Sequence, residues 1–497
     1  MTNNDFQRDA NYQGQRARIV VTVGLICLIN IGLIAWQAHL DQINNDGILY
    51  VRAARLFAAG DWAGGRQLFF WFAYPLTLGG AMAATGLDAW PLALILNGTA
   101  STLTVLLILR CAWIARPQRA TLIAAALLLF GNLWFNDLRA TIVREHIYFL
   151  FMMSGFAFLL RDLQAPGIGA KLGFVGLTLL AAAFRIEALG FLALVATLRI
   201  AIETSSRGLR AAAIAALVLA PVAALSAIWA WGHSSNLQDL LAAPSARIEI
   251  LRSEVLFPFE SRKAPYAYAA MVGGLLTYGL VNAIGIATIL STVIAWRADP
   301  AVRRSPALYL ASLYLTAGVA IYATQIYFNL VFDPRHGLIL SLILTPVAAI
   351  GLTDLFGAAA QRRPLAARSV AGLVAALLLL GFAVGMRKYD SHAYRFTAGA
   401  WLAGNVATTA RIASNSSQIL FYGGFANTTP DLVVGLSAQK PDAALFDRWA
   451  DYDVIVLELR ESQLVLVQDL QARFGHAPVQ TLRNSRGDAI VIFRTRL

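Results

Sequence analysis

"AAAFRIEALGFLALV", residues 181–195, sets an arginine and a glutamate, Arg185 and Glu187, in the middle of an apolar run that extends from 172 to 203. Read as one helix, the run is a single span with charges at its centre. Read as two, it is a hairpin with both charges at the turn. The choice decides the side of every later loop. The hairpin reading leaves legs of about 13 and 15 residues, short against the roughly 20 that cross a hydrocarbon core, so the decision rests on the pattern of charge in the rest of the chain.

That pattern belongs to a membrane protein. The 497 residues are 58% hydrophobic and 14% charged, and their mean hydropathy is +0.61, far too apolar for a soluble chain of this length. A net charge of +12 would suit an acidic partner. The basic residues form no single patch, however, and lie in short clusters between apolar runs, which argues against nucleic acid. Cys27 and Cys111 both fall inside apolar runs, so neither a disulfide framework nor a thiolate metal site is indicated. The first 18 residues are polar and the run from Ile19 to Trp36 lacks a small-residue cleavage pattern after it, which reads as an uncleaved signal anchor.

Further spans are expected near 89–113, 209–231, 271–296, 306–328, 337–357 and 369–386, with the first at 19–39. The run 120–160 is interrupted by Asp137, Arg139, Arg144 and Glu145 and reads as a second hairpin. Eleven spans then place six basic clusters on one side: Arg8, Arg16 and Arg18; Arg110, Arg116 and Arg119; Arg161 and Lys171; Arg199, Arg207 and Arg210; Arg297, Arg303 and Arg304; Arg362, Arg363 and Arg368. By the positive-inside rule that side is cytoplasmic. One charged-centre helix at 172–203 would instead turn Arg297 and Arg362 outward. The expected class is therefore a polytopic α-helical membrane protein with residues 1–386 in the membrane portion. External pieces are 40–88, 136–146, 185–187, 232–270, 329–336 and everything from 387 onward.

The tail, 387–497, has ordinary globular composition. A helix pattern covers about 395–413, strand-like runs follow in "QILFYGG" (418–424), "DVIVLELR" (453–460) and "AIVIFRT" (489–495), and helices suit 441–451 and 462–474. A small external α/β domain is expected. In the loop 232–270, Ile248, Leu251 and Val255 fit an interfacial helix, with "FPF" and "APY" as hinges.

Chemistry is sought among the external residues. After Asp46, the apolar positions Leu49, Ala53, Leu56 and Phe57 recur at helical spacing, so the stretch reads as an amphipathic helix at the interface. Asp46 at its start has two readings: an N-cap that satisfies free amides, or a carboxylate held at the membrane surface with Tyr50 one turn on. Arg185 with Glu187 reads either as a structural ion pair or as a ligand clamp, and Arg335 either snorkels to the interface or holds an anion. Glu145 and His146 with Asp46 would supply ligands for a divalent cation, Mg²⁺ or Mn²⁺; the alternative is a solvated loop. His233 and His392 have no partner spacing.

An acidic residue just after the first span, followed by Tyr50-x-x-x-Ala54 and Gly60-Asp61-Trp62, resembles the first external loop of the GT-C glycosyltransferases. These integral-membrane enzymes use polyprenyl-phosphate-linked sugars, and include protein O-mannosyltransferases and the transferases that add aminoarabinose or galacturonic acid to lipid A. The likeness continues in order through "FAYPLTLGGAMAATGL" (72–87), "AWPLALILNGTASTLTVLLIL" (89–109), "AAAFRIEALGFLALV", "DPRHGLILSLILTPVAAIG" (333–351) and "DLVVGLSA" (431–438). His336 departs from the family's usual tyrosine, and "RATIVREHIYF" (139–149) offers Glu145 and His146 where a second acid belongs.

The resemblance implies an inverting transferase of a bacterial inner membrane, with its N-terminus cytoplasmic and its tail periplasmic. It would move one sugar from a polyprenyl phosphate to a lipid, glycan or protein acceptor. A sugar phosphate leaves as a stabilised anion, so no general acid is needed, while the acceptor hydroxyl benefits from a base. Asp46 is assigned that role. Arg335, His336 and Arg185 are assigned to the lipid phosphate, and Tyr50, Glu145 and Glu187 to substrate contact. Two alternatives stand beside it: a ligase that moves a whole glycan from a polyprenyl diphosphate, and a transporter or flippase, which would need charges near mid-membrane.

Overall fold

The computed structural model describes residues 3–38, 43–69, 71–139, 141–209, 234–255, 261–361, 365–387, 393–425, 433–435 and 449–495. Seven described helices are long and apolar enough to cross a membrane. The span expected at 209–231 and the hinge "FPF" lie outside the described residues apart from residue 209. The chain divides into two compact units.

The first unit holds residues 1–32, 98–138 and 144–385. Its helices are α1 (Asn3–Ala38, up to residue 32), α5 (Ala89–Ala115, from residue 98), α6 (Arg119–Phe130), α7 (Leu133–Leu138), α8 (Glu145–Gln164), α9 (Ile168–Phe184) and α10 (Glu187–Glu203), with α11 (Ser234–Ile250) after them. Then come α12 (Ala264–Ile284), α13 (Ile286–Ala298), α14 (Pro306–Asn329), α15 (Pro334–Ala360) and α16 (Leu365–Arg387). The run 172–203 is two helices: α9 stops before Arg185, which is extended at φ −147° and ψ 122°, and α10 starts at Glu187. Each leg has 17 residues, about 25 Å of helix.

Ion pairs show which helix ends share a side. Arg116 meets Asp354 at 2.5 Å and Asp299 at 3.4 Å; Arg199 meets Asp162 at 2.7 Å, and Tyr309 donates to Glu203 at 3.2 Å. At the other ends of these helices, Arg185 joins Glu145 and Arg335 approaches it. Among the described helices, Arg116, Arg199 and Arg335 thus lie at ends that agree with the alternation expected for them.

The span expected at 271–296 differs. It begins at Ala264 and is broken between α12 and α13 by Gly285, at φ +84°, a backbone region open to glycine. A break in a span frees carbonyls that lipid cannot satisfy. Asn132 supplies the partner: its Nδ2 lies 3.3 Å from the carbonyl oxygens of Ala283 and Ile284 and 3.1 Å from Ser341 Oγ, which itself donates to Ile284 at 2.9 Å. Beyond the break, Gly351 of α15 lies against the Ser291 carbonyl of α13, where a Cβ would collide. Small-residue contact of this kind brings membrane helices close, and α15 is buried along most of its length.

The second unit holds residues 33–97, 139–143 and 386–497. Its helices α2 (Asn45–Ala58), α3 (Trp62–Leu68) and α4 (Ala73–Thr85) lie within 40–88, the stretch expected to be external. Ala53 and Phe57 of α2 are buried as expected, but so are Ile48, Tyr50, Val51 and Ala54, while Leu49 and Leu56 are half-buried. The buried face is wider than a surface helix would show because α4 packs on it, with Gly79 against the Ala54 carbonyl. The tail forms α17 (Ala393–Asn405), β1 (Ile412–Ser414), α18 (Ser417–Tyr422), β2 (Val433–Gly435), β3 (Val454–Leu459), α19 (Val465–Phe474), β4 (Gln480–Arg483) and β5 (Ala489–Arg494). The sheet order is β2-β1-β3-β5-β4, parallel from β2 to β3 and antiparallel beyond. Alternate residues serve two cores: Val454, Val456, Ile490 and Ile492 face α17, and Ile455, Leu457, Val491 and Phe493 face α19.

Two expectations for the tail fail. The helix begun at 393 ends at Asn405, well before 413, and "QILFYGG" is the helix α18, not a strand. As a helix it buries Ile419 and Leu420 on α17 while Phe421 and Tyr422 meet Trp90 at ring separations of 5.5 and 6.1 Å. Tertiary packing overrides the β-prone composition. The expected helix at 441–451 falls outside the described residues except for one turn, Trp449–Asp451.

Replacing Asn132 by alanine is expected to lower stability by about 1–3 kcal/mol, the cost of stranding buried carbonyls, with Ser341→Ala costing less. A melting temperature of Asn132→Ala equal to the parent protein's would show that the break at Gly285 does not depend on it.

Candidate functional site

In the first unit, the N-termini of α8, α10 and α15 each contribute charge to one buried cluster. Glu145 and Glu187 are the first residues of α8 and α10, and Arg335 is the second of α15. Arg185 is the hub: its Nη1 donates to Glu145 Oε1 at 2.6 Å, its Nη2 to Glu187 Oε1 at 2.6 Å and its Nε to Glu187 Oε2 at 3.3 Å. The Arg185 and Glu145 side chains are only 4% and 3% exposed. Such a pair survives burial only with this density of hydrogen bonds. Arg335 Nε lies 2.6 Å from Asp333 Oδ2 and 3.8 Å from Glu145 Oε1, and its side chain stays 28% exposed.

Local sequence explains each position. Asp333 caps α15 by accepting from the Arg335 amide at 3.0 Å, and Pro334 takes the first helical place. The two glutamates suit the first turns of their helices, where the helix dipole favours negative charge. Aromatic side chains hold the cluster from beneath. The Arg185 guanidinium sits 5.9 Å from the Tyr148 ring centre, Phe191 stacks on Tyr314 at 5.8 Å, and Tyr322 donates to the His336 carbonyl at 2.6 Å. His336 Nδ1 is 3.3 Å from Gln325 Nε2. Glu145 Oε2, Tyr148 Oη and Gln325 Oε1 are buried without a hydrogen-bond partner among the described residues, a condition that invites a further polar group.

The ion-pair reading of Arg185 is the one seen: it pairs with Glu187 and with Glu145, which Arg335 also approaches. His146 faces elsewhere, its Nε2 donating to the Leu138 carbonyl at 2.8 Å. Among the described residues no three His, Cys, Asp or Glu side chains gather as a metal ion would require. Within the first unit, Glu145 Oε1 is engaged by Arg185 and His146 Nε2 by a carbonyl.

Asp46 and Tyr50 belong to the second unit. The cap position of α2 is Asn44, not Asp46, and the Asn44 side chain accepts from the Ile142 amide at 3.1 Å rather than from its own helix. Asp46 stands half-buried in the first turn. Gly47 permits Ile142 to pass close by, since a Cβ there would lie 3.0 Å from the Ile142 Cβ. Asn97 secures the same segment, its Nδ2 reaching the carbonyls of Thr141 and Val143 at 3.2 and 3.1 Å. Tyr50 is 3% exposed, edge-on to Phe69 and Tyr74 with centroids at 4.9 and 5.0 Å.

Sequence reading missed Asp333, which the Asp-Pro helix start signals, and Tyr148, one turn after Glu145. Tyr322 and Gln325 carry no local signal, since they reach the site from a neighbouring span.

Hairpins, a broken span and a small α/β tail in this order make a multi-pass α-helical membrane protein, and its fold is similar to that of solved structures. A crystal structure of ArnT from Cupriavidus metallidurans bound to undecaprenyl phosphate matches over 97% of this chain and 98% of its own, with a TM-score of 0.51 at 13% identity. The apo structure of that protein matches over the same shares with a TM-score of 0.48, also at 13% identity. No protein-family model and no curated protein matches the chain.

Removing the hub charge tests the cluster. Arg185→Met is expected to cost about 3–5 kcal/mol because two carboxylates stay buried without a counter-charge. Changing Glu145 and Glu187 to glutamine in the same variant is expected to restore most of the loss. Thermal melting of the purified variants reads both, and an unaltered single variant would refute the hub role.

Proposed function

We propose that the chain is an inverting glycosyltransferase that takes one sugar from a polyprenyl monophosphate and passes it to a lipid, glycan or protein acceptor. The observation that carries this is the convergence of three helix N-termini, with Arg185 and a partly exposed Arg335, at one buried cluster. Amide dipoles and guanidinium groups are what a phosphate needs. Support comes from the ArnT structure with undecaprenyl phosphate, which shares the fold over nearly the whole chain.

In the proposed reaction the acceptor oxygen attacks the anomeric carbon while the bond from that carbon to the phosphate oxygen breaks. The acceptor proton passes to the Asp46 carboxylate, and the electron pair leaves with the polyprenyl phosphate. Arg335 faces the growing phosphate charge, and Arg185 holds Glu145 and Glu187 away from it by engaging their oxygens. Back-side attack inverts the configuration. This route needs no metal ion, because the leaving group is already a stable anion. The transporter alternative calls for charges at mid-span, whereas Glu145, Glu187 and Arg335 lie at helix starts. In this reading the enzyme sits in a bacterial inner membrane with its tail in the periplasm.

Purified protein incubated with a panel of polyprenyl-phosphate sugars is expected to release polyprenyl phosphate. Asp46→Asn should lower the rate by about 10²–10⁴, the usual contribution of a general base, with melting unaltered. Full activity in that variant removes Asp46 from the chemistry. No release from any donor favours transport.

A further inference from the structure

The tail contains a cavity of about 430 Å³ that the transfer chemistry does not use. It opens where β1 and β3 end: Asn415 and Ser416 follow β1, and Leu459 and Arg460 close β3. The order β2-β1-β3 means that the chain leaves β1 to one side and returns on the other. That makes the carboxyl ends of β1 and β3 a topological switch point, the place where open α/β sheets part their loops and hold ligands. The Asn415 side chain keeps the crevice in shape by bonding the β3 backbone, Nδ2 to the Glu458 carbonyl at 2.8 Å and Oδ1 from the Glu458 amide at 2.8 Å.

Its lining is polar and unequal in charge. Arg395 grips Glu458 through Nε at 2.8 Å and Nη2 at 2.5 Å, and Tyr394 donates to the same carboxylate at 2.5 Å. Burial, then Glu458, holds the Tyr394 phenol above its ordinary range, so it stays a donor. This carboxylate is therefore neutralised within the wall. Asp488 is engaged by Asn484 Nδ2 at 3.0 Å. Arg460 and Arg486 remain exposed on the rim, with no ion pair among the described residues. Asn45 completes the rim, its Oδ1 accepting from Ser417 Oγ at 3.0 Å. Asp46 is the next residue of α2.

We propose that this cavity binds the saccharide head of the acceptor, and that the head carries an anionic group, phosphate or carboxylate, which Arg460 and Arg486 hold. Amide and hydroxyl groups match sugar hydroxyls, the two unpaired guanidiniums match an anion, and the volume suits a unit of about two sugars. A site that ends at Asn45 brings acceptor hydroxyls to the start of α2. The proposal rests on the transferase reading for its acceptor, but the binding itself does not.

The test uses full-length protein in lipid nanodiscs. Ligand-observed NMR measures binding of a panel of phosphorylated and uronic disaccharides, such as trehalose 6-phosphate, with trehalose as neutral match and inorganic phosphate as the anion alone. At least one anionic disaccharide is expected to bind tenfold or more tightly than both controls. The pair Arg460→Ala and Arg486→Ala should lose that margin at unchanged melting temperature, and Arg460→Lys with Arg486→Lys should keep part of it. Failure of every disaccharide, equal binding of inorganic phosphate, or full binding to the alanine pair overturns the proposal. Donor cleavage in water, without acceptor, should be the same in the alanine pair as in the parent. Donor cleavage without saccharide binding thus rejects only this site. Saccharide binding without cleavage of any donor rejects only the transferase reading.

Discussion

Arg185 between Glu145 and Glu187 is the interaction on which the membrane unit depends. Three charges that are nearly removed from water hold one another at distances of 2.6 Å. Each member would be costly alone, and together they tie the start of α8 to the turn between α9 and α10. That turn reverses the chain. Among the described helices, Arg116 reaches Asp299 and Asp354 at one set of ends, while Arg335 comes to Glu145 at the other.

The same cluster links fold to chemistry. A helix starting with Glu145 or Glu187 presents free amides and a positive dipole end, and the glutamates partly neutralise it. Arg185 in turn neutralises them, which leaves Arg335 as the more exposed charge. In the second unit the order is different: α2 is packed on α4, and its start is bound to the tail through Ile43, whose amide donates to Tyr422 Oη at 2.7 Å and whose carbonyl accepts from Gln418 Nε2 at 2.6 Å. A carboxylate on that turn is thereby held to a rigid α/β domain rather than to a loop.

Much of this was legible in advance. Apolar run length located most of the described spans, and the interrupted runs at 120–160 and 172–203 are each broken into separate helices at their charges. Alternation in "DVIVLELR" and "AIVIFRT" marked β3 and β5. Where reading failed, a neighbour had supplied what local sequence lacked. Asn132 and Ser341 accommodate the break at Gly285, and α17 and Trp90 turn "QILFYGG" into a helix.

The sequence by itself determined that this is a polytopic membrane protein, where its charged turns fall and that a globular domain follows the last span, because hydrophobic length and charge placement act through local composition. Only the tertiary structure decided what those charges do. That Arg185 is shared by two glutamates, that Asn44 rather than Asp46 caps α2 and that Arg460 and Arg486 meet at one crevice all depend on residues distant in the chain. A side chain's role is set by which partners can reach it within a few ångströms, and no spacing along one strand or helix contains that information.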